Sequence, residues 1–123
     1  MIIIPENLLI EVRIYQYRVP PVVSLPIFPL DNAANETTEW VKDRLLKGVT
    51  RIVIFSPQEI QVLRLLRHVR EEVDGIKLQP ENLVFYFDKP DSHDMVTMYA
   101  TPDGDLTGNV PGGFFTQRAA ELF

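Results

Sequence analysis

A short apolar run followed directly by a helix-capping pattern constrains the fold of this chain most. Residues 50–55, TRIVIF, are almost continuously apolar, which is typical of a strand covered on both faces. The next residues, SPQE (56–59), place a serine at the cap, a proline at the first helical position and a glutamate three residues after the serine. A helix is therefore predicted from Pro57 to about Val73. Its buried face recurs every three or four residues, at Ile60, Leu63, Leu66, Val69 and Val73.

Hydrophobic patterns on both sides of this unit predict further elements. Alternation with a period of two favours a half-buried strand within residues 8–19. An extended segment follows at residues 22–28, weakened by Pro26, which removes a ladder donor. The other predicted elements are a helix over residues 36–47, a strand over 83–87 and a strand over 95–100.

This order of elements predicts an α/β fold with a short mixed sheet, two covering helices and a C-terminal β-hairpin. A chain of 123 residues is about the commonest size for a single core, so we expect one domain over residues 1–123. Within it, residues 1–21 would form an N-terminal strand and a proline-rich connection. Residues 22–73 would form a βαβα unit, and residues 74–123 the hairpin and a C-terminal extension.

Composition excludes several classes of protein. Hydrophobic residues make up 46% and charged residues 24% of the chain, which is ordinary for a soluble globular domain and argues against disorder. The absence of cysteine excludes disulfides, zinc–thiolate sites and cysteine nucleophiles. The start, MIIIPENLLI, lacks the pattern of a signal peptide, and no run approaches the length of a membrane span. We therefore expect a soluble, cytoplasmic protein that has no membrane partner.

Charge is unevenly distributed along the chain. The net charge of −5 argues against a free-standing binder of nucleic acid. Residues 1–70 hold nine basic and seven acidic side chains, whereas residues 71–123 hold three basic and ten acidic ones. Complementary fields could therefore draw one half to the other, or to a second copy. Solvated faces of two separate elements would give the same distribution.

Most of the chain resembles a known family. KGVTRIVIFSPQEIQVLRLLRHV (47–69) is similar to the last sheet strand and following helix of the bacterial predicted ATPases of the OLD-like, ABC-type class, which typically have RGVQVIVETHSEHLLLRLRRRV there. LQPENLVFYFDKP (78–90) resembles the family's SPEDVAVYFVE, and DGDLTGNVPGGFF (103–115) resembles its DGRIPDWPEGFF ending. The resemblance spans residues 22–123. It implies a P-loop-ATPase-like half domain from the C-terminal part of such an ATPase, and its most specific residues are Pro111, Gly113, Phe114 and Phe115.

The residues with which this family hydrolyses ATP are absent from the matching positions of this chain. No GxxxxGK[ST] phosphate-binding loop occurs in the chain. Ile27 and Phe28 stand where the family has its adjacent Walker B acids, with Pro29 about where the proline of the EEPE motif falls. Ser56 or Pro57 stands where the family has its switch histidine. The resemblance therefore implies a catalytically silent relative without a cofactor, a protein-interaction or regulatory module whose partner is another protein or a second copy.

A basic stripe on the predicted central helix is a candidate binding surface. Arg64, Arg67 and His68 are neighbours at helical spacing, and Arg70 lies across from them. Such a stripe would contact the phosphate backbone of a nucleic acid or dock an acidic partner. It would equally form a solvated face paired with nearby acids. The negative net charge favours the solvated face, so nucleic-acid binding is the less expected function.

The predicted hairpin loop DKPDSHD (88–94) is the candidate for a new site. Clustered carboxylates suit hard cations, so a small enzyme or a nucleotide or metal binder is the alternative function. The spacing matches no calcium-loop pattern, however, and turns collect Asp, Ser and Pro for backbone reasons, so we expect no metal. The weak candidate ligands are Asp88, Asp91, His93 and Asp94.

Four aromatic side chains are candidates for protein contacts. Tyr15 and Tyr17 share one face of the N-terminal strand and could mark a sheet edge that pairs with another chain. In a complete ATPase the other half of the domain would cover one edge of the sheet. The N-terminal strand could cover that edge in its place. Phe114 and Phe115 could insert into a partner or tuck into a groove of this domain.

Overall fold

Four strands form one mixed sheet in the part of the chain that the structure, a computed structural model, describes: residues 2–15, 32–55, 57–89 and 94–107. The strand order is β2-β1-β3-β4, with β1 parallel to β2 and β3, and β4 antiparallel to β3. The predicted α/β fold is thus confirmed, whereas the extended segment expected at residues 22–28 lies outside the described residues. The elements are β1 (Leu9–Ile14), α1 (Ala33–Leu46), β2 (Arg51–Phe55), α2 (Glu59–Arg70), a 3-10 turn (Pro80–Asn82), β3 (Leu83–Asp88) and β4 (Met95–Tyr99).

The strand β1 lies inside the sheet. Its register places Ile10 beside Ile52 of β2 on one side and beside Leu83 of β3 on the other. The interpretation of this strand as an open edge is therefore wrong for its described residues, whereas its role as a cover for the edge of another strand stays a prediction. A period-two pattern indicates which side chains of a strand share a face, but it carries no information about which strands lie alongside.

Both helices pack on one face of the sheet. They contact each other, and their apolar residues share one buried cluster with alternate residues of all four strands. The expectation that β2 is covered on both faces holds only in part, since on the opposite side Val53 and Phe55 are half-buried and Arg51 is exposed. The cluster includes Ile10, Val12, Ile14, Ile52, Ile54, Leu83, Phe85, Phe87 and Met98 from the strands, and Val41, Leu45, Val62, Leu63, Leu65, Leu66 and Val69 from the helices.

The helix α2 is shorter than the sequence pattern predicts. Its N-cap is Gln58, whose backbone N–H donates to Oε1 of Gln61 over 2.7 Å. The predicted cap, Ser56, lies outside the described residues. At the other end, Asp74 and Gly75 both have positive φ and form a tight turn. The turn lets Val73 exchange two backbone hydrogen bonds with the residue after Gly75, so Val73 cannot continue the helix.

The turn that follows β4 packs tightly against the end of α2. Gly104 has a φ of +75°, a backbone conformation that residues with a side chain rarely adopt. A Cβ atom at this position would lie 2.7 Å from the carbonyl oxygen of Leu66 and 2.8 Å from the Cβ of Arg70. Only glycine allows the chain to approach the helix this closely.

Candidate functional site

The strand β2 forms one edge of the described sheet, and its outer side carries backbone groups that no described element pairs. The amide of Leu9 in β1 donates to the carbonyl of Thr50 over 3.0 Å. In a parallel pair, alternate residues of one strand bond the same neighbour, so the next bond to β1 comes from Ile52. The N–H and C=O groups of Arg51 and Val53 consequently point away from β1.

The opposite edge of the sheet is closed near its end. The amide of Thr107 donates to the carbonyl of Tyr99 over 3.0 Å, and the amide of Tyr99 donates to Oγ1 of Thr107 over 3.1 Å. Tyr99 therefore has both outer backbone groups of its strand satisfied from within the chain. Among the described residues, no comparable hydrogen bond closes the outer side of β2 at Val53.

An ion pair runs across the sheet face that the helices leave uncovered. Nη2 of Arg51 in β2 lies 3.3 Å from Oε2 of Glu11 in β1, where the carboxylate is nearly buried and the guanidinium is largely exposed. Farther along β1, the guanidinium of Arg13 lies 5.1 Å from the ring centroid of Tyr86 in β3, within cation–π distance. This face therefore holds the Arg51 cation in a defined place beside the outer side of β2.

A polar network fills the contact between the two helices. Nη1 of Arg64 donates to Oδ1 of Asn35 over 3.0 Å and to Oγ1 of Thr38 over 3.2 Å. Oγ1 of Thr38 lies 2.9 Å from Nε2 of His68, and Nδ1 of His68 lies 3.1 Å from the Ile76 carbonyl. A carbonyl only accepts, so Nδ1 carries the proton and Nε2 accepts from the Thr38 hydroxyl. His68 is fully buried, and a donor on one ring nitrogen with an acceptor on the other suits the neutral imidazole.

Burial lowers the pKa of His68, because the charged imidazolium would lose its hydration. The hydrogen bond to the Ile76 carbonyl and the charge of Asp74 oppose this shift, whereas the charges of Arg64 and Arg67 reinforce it. The network therefore contains no free acid–base group. Its arrangement joins α1 to α2 and offers no open surface for a ligand.

The predicted basic stripe does not form an exposed surface. Arg64 is only 6% exposed because α1 covers that side of α2. Nε of Arg67 donates to Oε1 of Glu71 over 2.7 Å, and Nε of Arg70 lies 4.0 Å from Oε2 of the same residue. The hydrogen bond from Arg67 lowers the pKa of the Glu71 carboxyl. Helical spacing placed these arginines correctly along α2, but it could not show that α1 buries one of them.

The remaining predicted site residues are not brought together by the described structure. Asp88 is fully buried at the end of β3, and Asp94 is exposed just before β4. In the described ranges, no group of three His, Asp or Glu residues is placed to hold a metal ion. Tyr15 is half-buried just beyond β1. Five predicted residues lie outside the described ranges: Asp91, His93, Tyr17, Phe114 and Phe115.

Two residues, Val53 at the edge and Glu11 in the neighbouring strand β1, were not singled out by the sequence analysis. Glu11 carried a usable signal, since a carboxylate within an apolar strand requires a partner when it is buried. Val53 carried none, because the direction of its backbone groups depends on which side of β2 is occupied by β1.

Comparison of the chain with protein-family models, with curated proteins and with solved structures found no match. The described helices include none that combines the length and the apolar character needed to cross a membrane.

Proposed function

We propose that this domain is a protein-interaction module that receives a β-strand of another polypeptide along β2. The observation that carries the proposal is the outward direction of the Val53 N–H and C=O groups at the edge of the sheet. Main-chain hydrogen bonds give such strand addition its affinity, and alternate side chains give it selectivity.

The side chains of β2 support this function. Ile52 and Ile54 are buried beneath the helices and hold the strand in place, so that its edge is ordered before a partner binds. On the other face, Val53 is half-buried and Arg51 is fixed by Glu11. A partner strand would therefore lie beside an ordered edge at which Val53 is apolar and Arg51 supplies one cation.

The resemblance to the C-terminal part of OLD-like ATPases is a second argument for the proposed strand addition. A half of such an ATPase exposes a sheet edge that its other half would cover. The framework of strands and helices without a phosphate-binding loop would then serve for binding instead of hydrolysis. Binding of a nucleic acid receives less support, since Arg64 is buried and Arg67 is paired with Glu71.

A displayed library of random six-residue peptides, screened against the full chain, tests the proposal. Selected peptides should be rich in β-branched residues, and their binding should be lost in Val53→Pro, which lacks the edge N–H. Val53→Thr is the matched control, because it keeps both the N–H group and the branched shape, and it should still bind. A library that yields no binder, or binders that Val53→Pro retains, would contradict strand addition at this edge.

A further inference from the structure

We propose that a pocket at the amino ends of β1 and β3 binds a small organic cation, an ammonium or guanidinium group on an apolar stem. A cavity of about 310 Å³ opens there, between the segments that lead into these two strands. Its walls come from residues 4–6 and 77–82, so the inference goes beyond strand addition at β2 and does not depend on it.

Hydrogen bonds on either side hold one wall of this pocket in place. Because β1 and β3 are parallel neighbours, the segments that enter them run side by side. The backbone N–H of Ile2 donates to the carbonyl of Gly75 over 2.9 Å, and Nδ2 of Asn82 donates to the carbonyl of Leu8 over 3.0 Å. Residues 4–6 span the interval between these two contacts. The cavity is therefore formed before any ligand binds, which lowers the cost of binding.

The facing wall is fixed by hydrogen bonds within the chain as well. Oδ1 of the buried Asn82 accepts from the backbone N–H of Gln79 over 2.8 Å. Nζ of the half-buried Lys77 donates to the carbonyls of Val69 and Leu78. The ammonium group of Lys77 is thus already bound by acceptors of its own domain.

The charges around the cavity favour a positively charged ligand. Glu6 and Glu81 line it and are exposed, and within the described ranges neither carboxylate forms an ion pair or a hydrogen bond. The carbonyl of Val69 belongs to the last turn of α2, where a helix carries a partial negative charge. Lys77 offsets only part of this negative charge. A cation would therefore be attracted, whereas an anion would be repelled.

The size and the apolar part of the wall favour an organic cation over a metal ion. Ile4 and Pro5 are half-buried beside the carboxylates and offer contact to an apolar stem. Two carboxylates supply few of the ligands that a hard metal ion requires. A volume of about 310 Å³ is at the lower end of the range for small-molecule sites. A single alkylammonium or guanidinium chain matches the pocket in size, in apolar contact and in charge.

NMR titration of the isotope-labelled full chain with pentylamine and with Nα-acetyl-lysine methylamide tests the inference. We expect saturable shifts of the backbone amides of Glu6, Gln79 and Asn82, with a dissociation constant on the order of 1 mM because the ion pairs are exposed. Nα-acetyl-norleucine methylamide has hydrogen in place of the ammonium group of lysine. It should bind at least about fivefold more weakly than the lysine compound.

Substitution of the two carboxylates tests their part in binding. Glu6→Gln and Glu81→Gln should each weaken binding about threefold at low salt, and the double variant about tenfold. Both residues are exposed, so the variants should keep the fold. Glu72→Gln is the matched control, because it makes the same change of charge at an exposed residue outside the cavity and should leave binding unchanged.

The outcomes decide both the site and the source of the cation. The inference would be overturned by the absence of saturable shifts with either amine, by equal binding of the norleucine compound, or by unchanged binding in the double variant. Tighter binding of the capped lysine than of pentylamine would support the site and assign the cation to a peptide side chain. Equal or tighter binding of pentylamine would support the site and assign the cation to a free amine.

Discussion

The hydroxyl of Thr38 on α1 donates to Nε2 of His68 on α2 over 2.9 Å, and both residues are fully buried. This bond links the two helices, together with the bonds from Arg64 to Asn35 and Thr38. It also makes the stability of the domain depend on the protonation state of one imidazole.

Stability should fall as the solution becomes mildly acidic. Burial lowers the pKa of His68 below its ordinary value of 6.5, so below that pH the unfolded chain binds more protons than the folded one. The contribution of neutral His68 is complete above pH 6.5 and is lost as the pH falls towards the folded-state pKa. Urea unfolding between about pH 7.5 and about pH 5.5, followed by circular dichroism, measures the effect.

His68→Gln should make this pH dependence shallower. The carboxyl of Glu71, whose pKa is lowered by Arg67, titrates below this window and should leave the slope unchanged. His93→Asn removes the other histidine of the chain and serves as the control, with the dependence of the parent expected. An unaltered slope in His68→Gln would refute the assignment of this pH dependence to His68.

Removal of the Thr38 hydroxyl should destabilise the domain. Thr38→Val conserves volume but leaves Nε2 of His68 without its donor and Nη1 of Arg64 without one of its acceptors, and we expect a loss of about 1–3 kcal/mol in the free energy of unfolding. Thr37→Val is the matched control, since Thr37 is equally buried but its hydroxyl donates only to the Ala33 carbonyl of its own helix, over 2.8 Å. Chemical denaturation of both variants should show the larger loss for Thr38→Val, and equal losses would contradict a role in joining the helices.

Two glycines with the same backbone conformation should respond differently to alanine. Gly48 and Gly104 have φ values of +77° and +75°, but only at Gly104 would a Cβ meet other atoms within 4 Å. Gly48→Ala should cost about 1–2 kcal/mol from backbone strain alone. Gly104→Ala should cost a further ~1–3 kcal/mol, because the turn must move away from α2. Thermal unfolding of the two variants compares them, and similar losses would argue against the close contact.

Amide exchange should alternate along β2 in dilute solution. The amides of Ile52 and Ile54 bond to β1 and should exchange only when the sheet opens. The Val53 amide points outward and should exchange at a rate near that of an unfolded chain. Exchange followed by NMR, residue by residue, measures this, and slow exchange of Val53 at low concentration would show that the edge is already paired.

The helix α2 has some features that the sequence predicts and others that it does not. Its position and apolar stripe follow from local spacing, because the period of the helix places Leu63, Leu66 and Val69 on one side. The burial of Arg64 and His68 does not follow, since these residues lie on a polar stripe that is normally solvated. They are buried because α1 packs against that stripe, and the sequence has no local pattern that specifies this contact.

The candidate site also has features that follow from the local sequence and features that depend on the tertiary structure. The sequence by itself determined that residues 51–55 form a strand and which of their side chains are apolar, because both depend on neighbours along the chain. Only the tertiary structure decided that β1 lies between β2 and β3, which leaves Val53 with outward-facing backbone groups and closes the edge once expected at β1. Strand order arises from contacts between residues far apart in the chain, and a period of two describes the faces of a strand but not its neighbours.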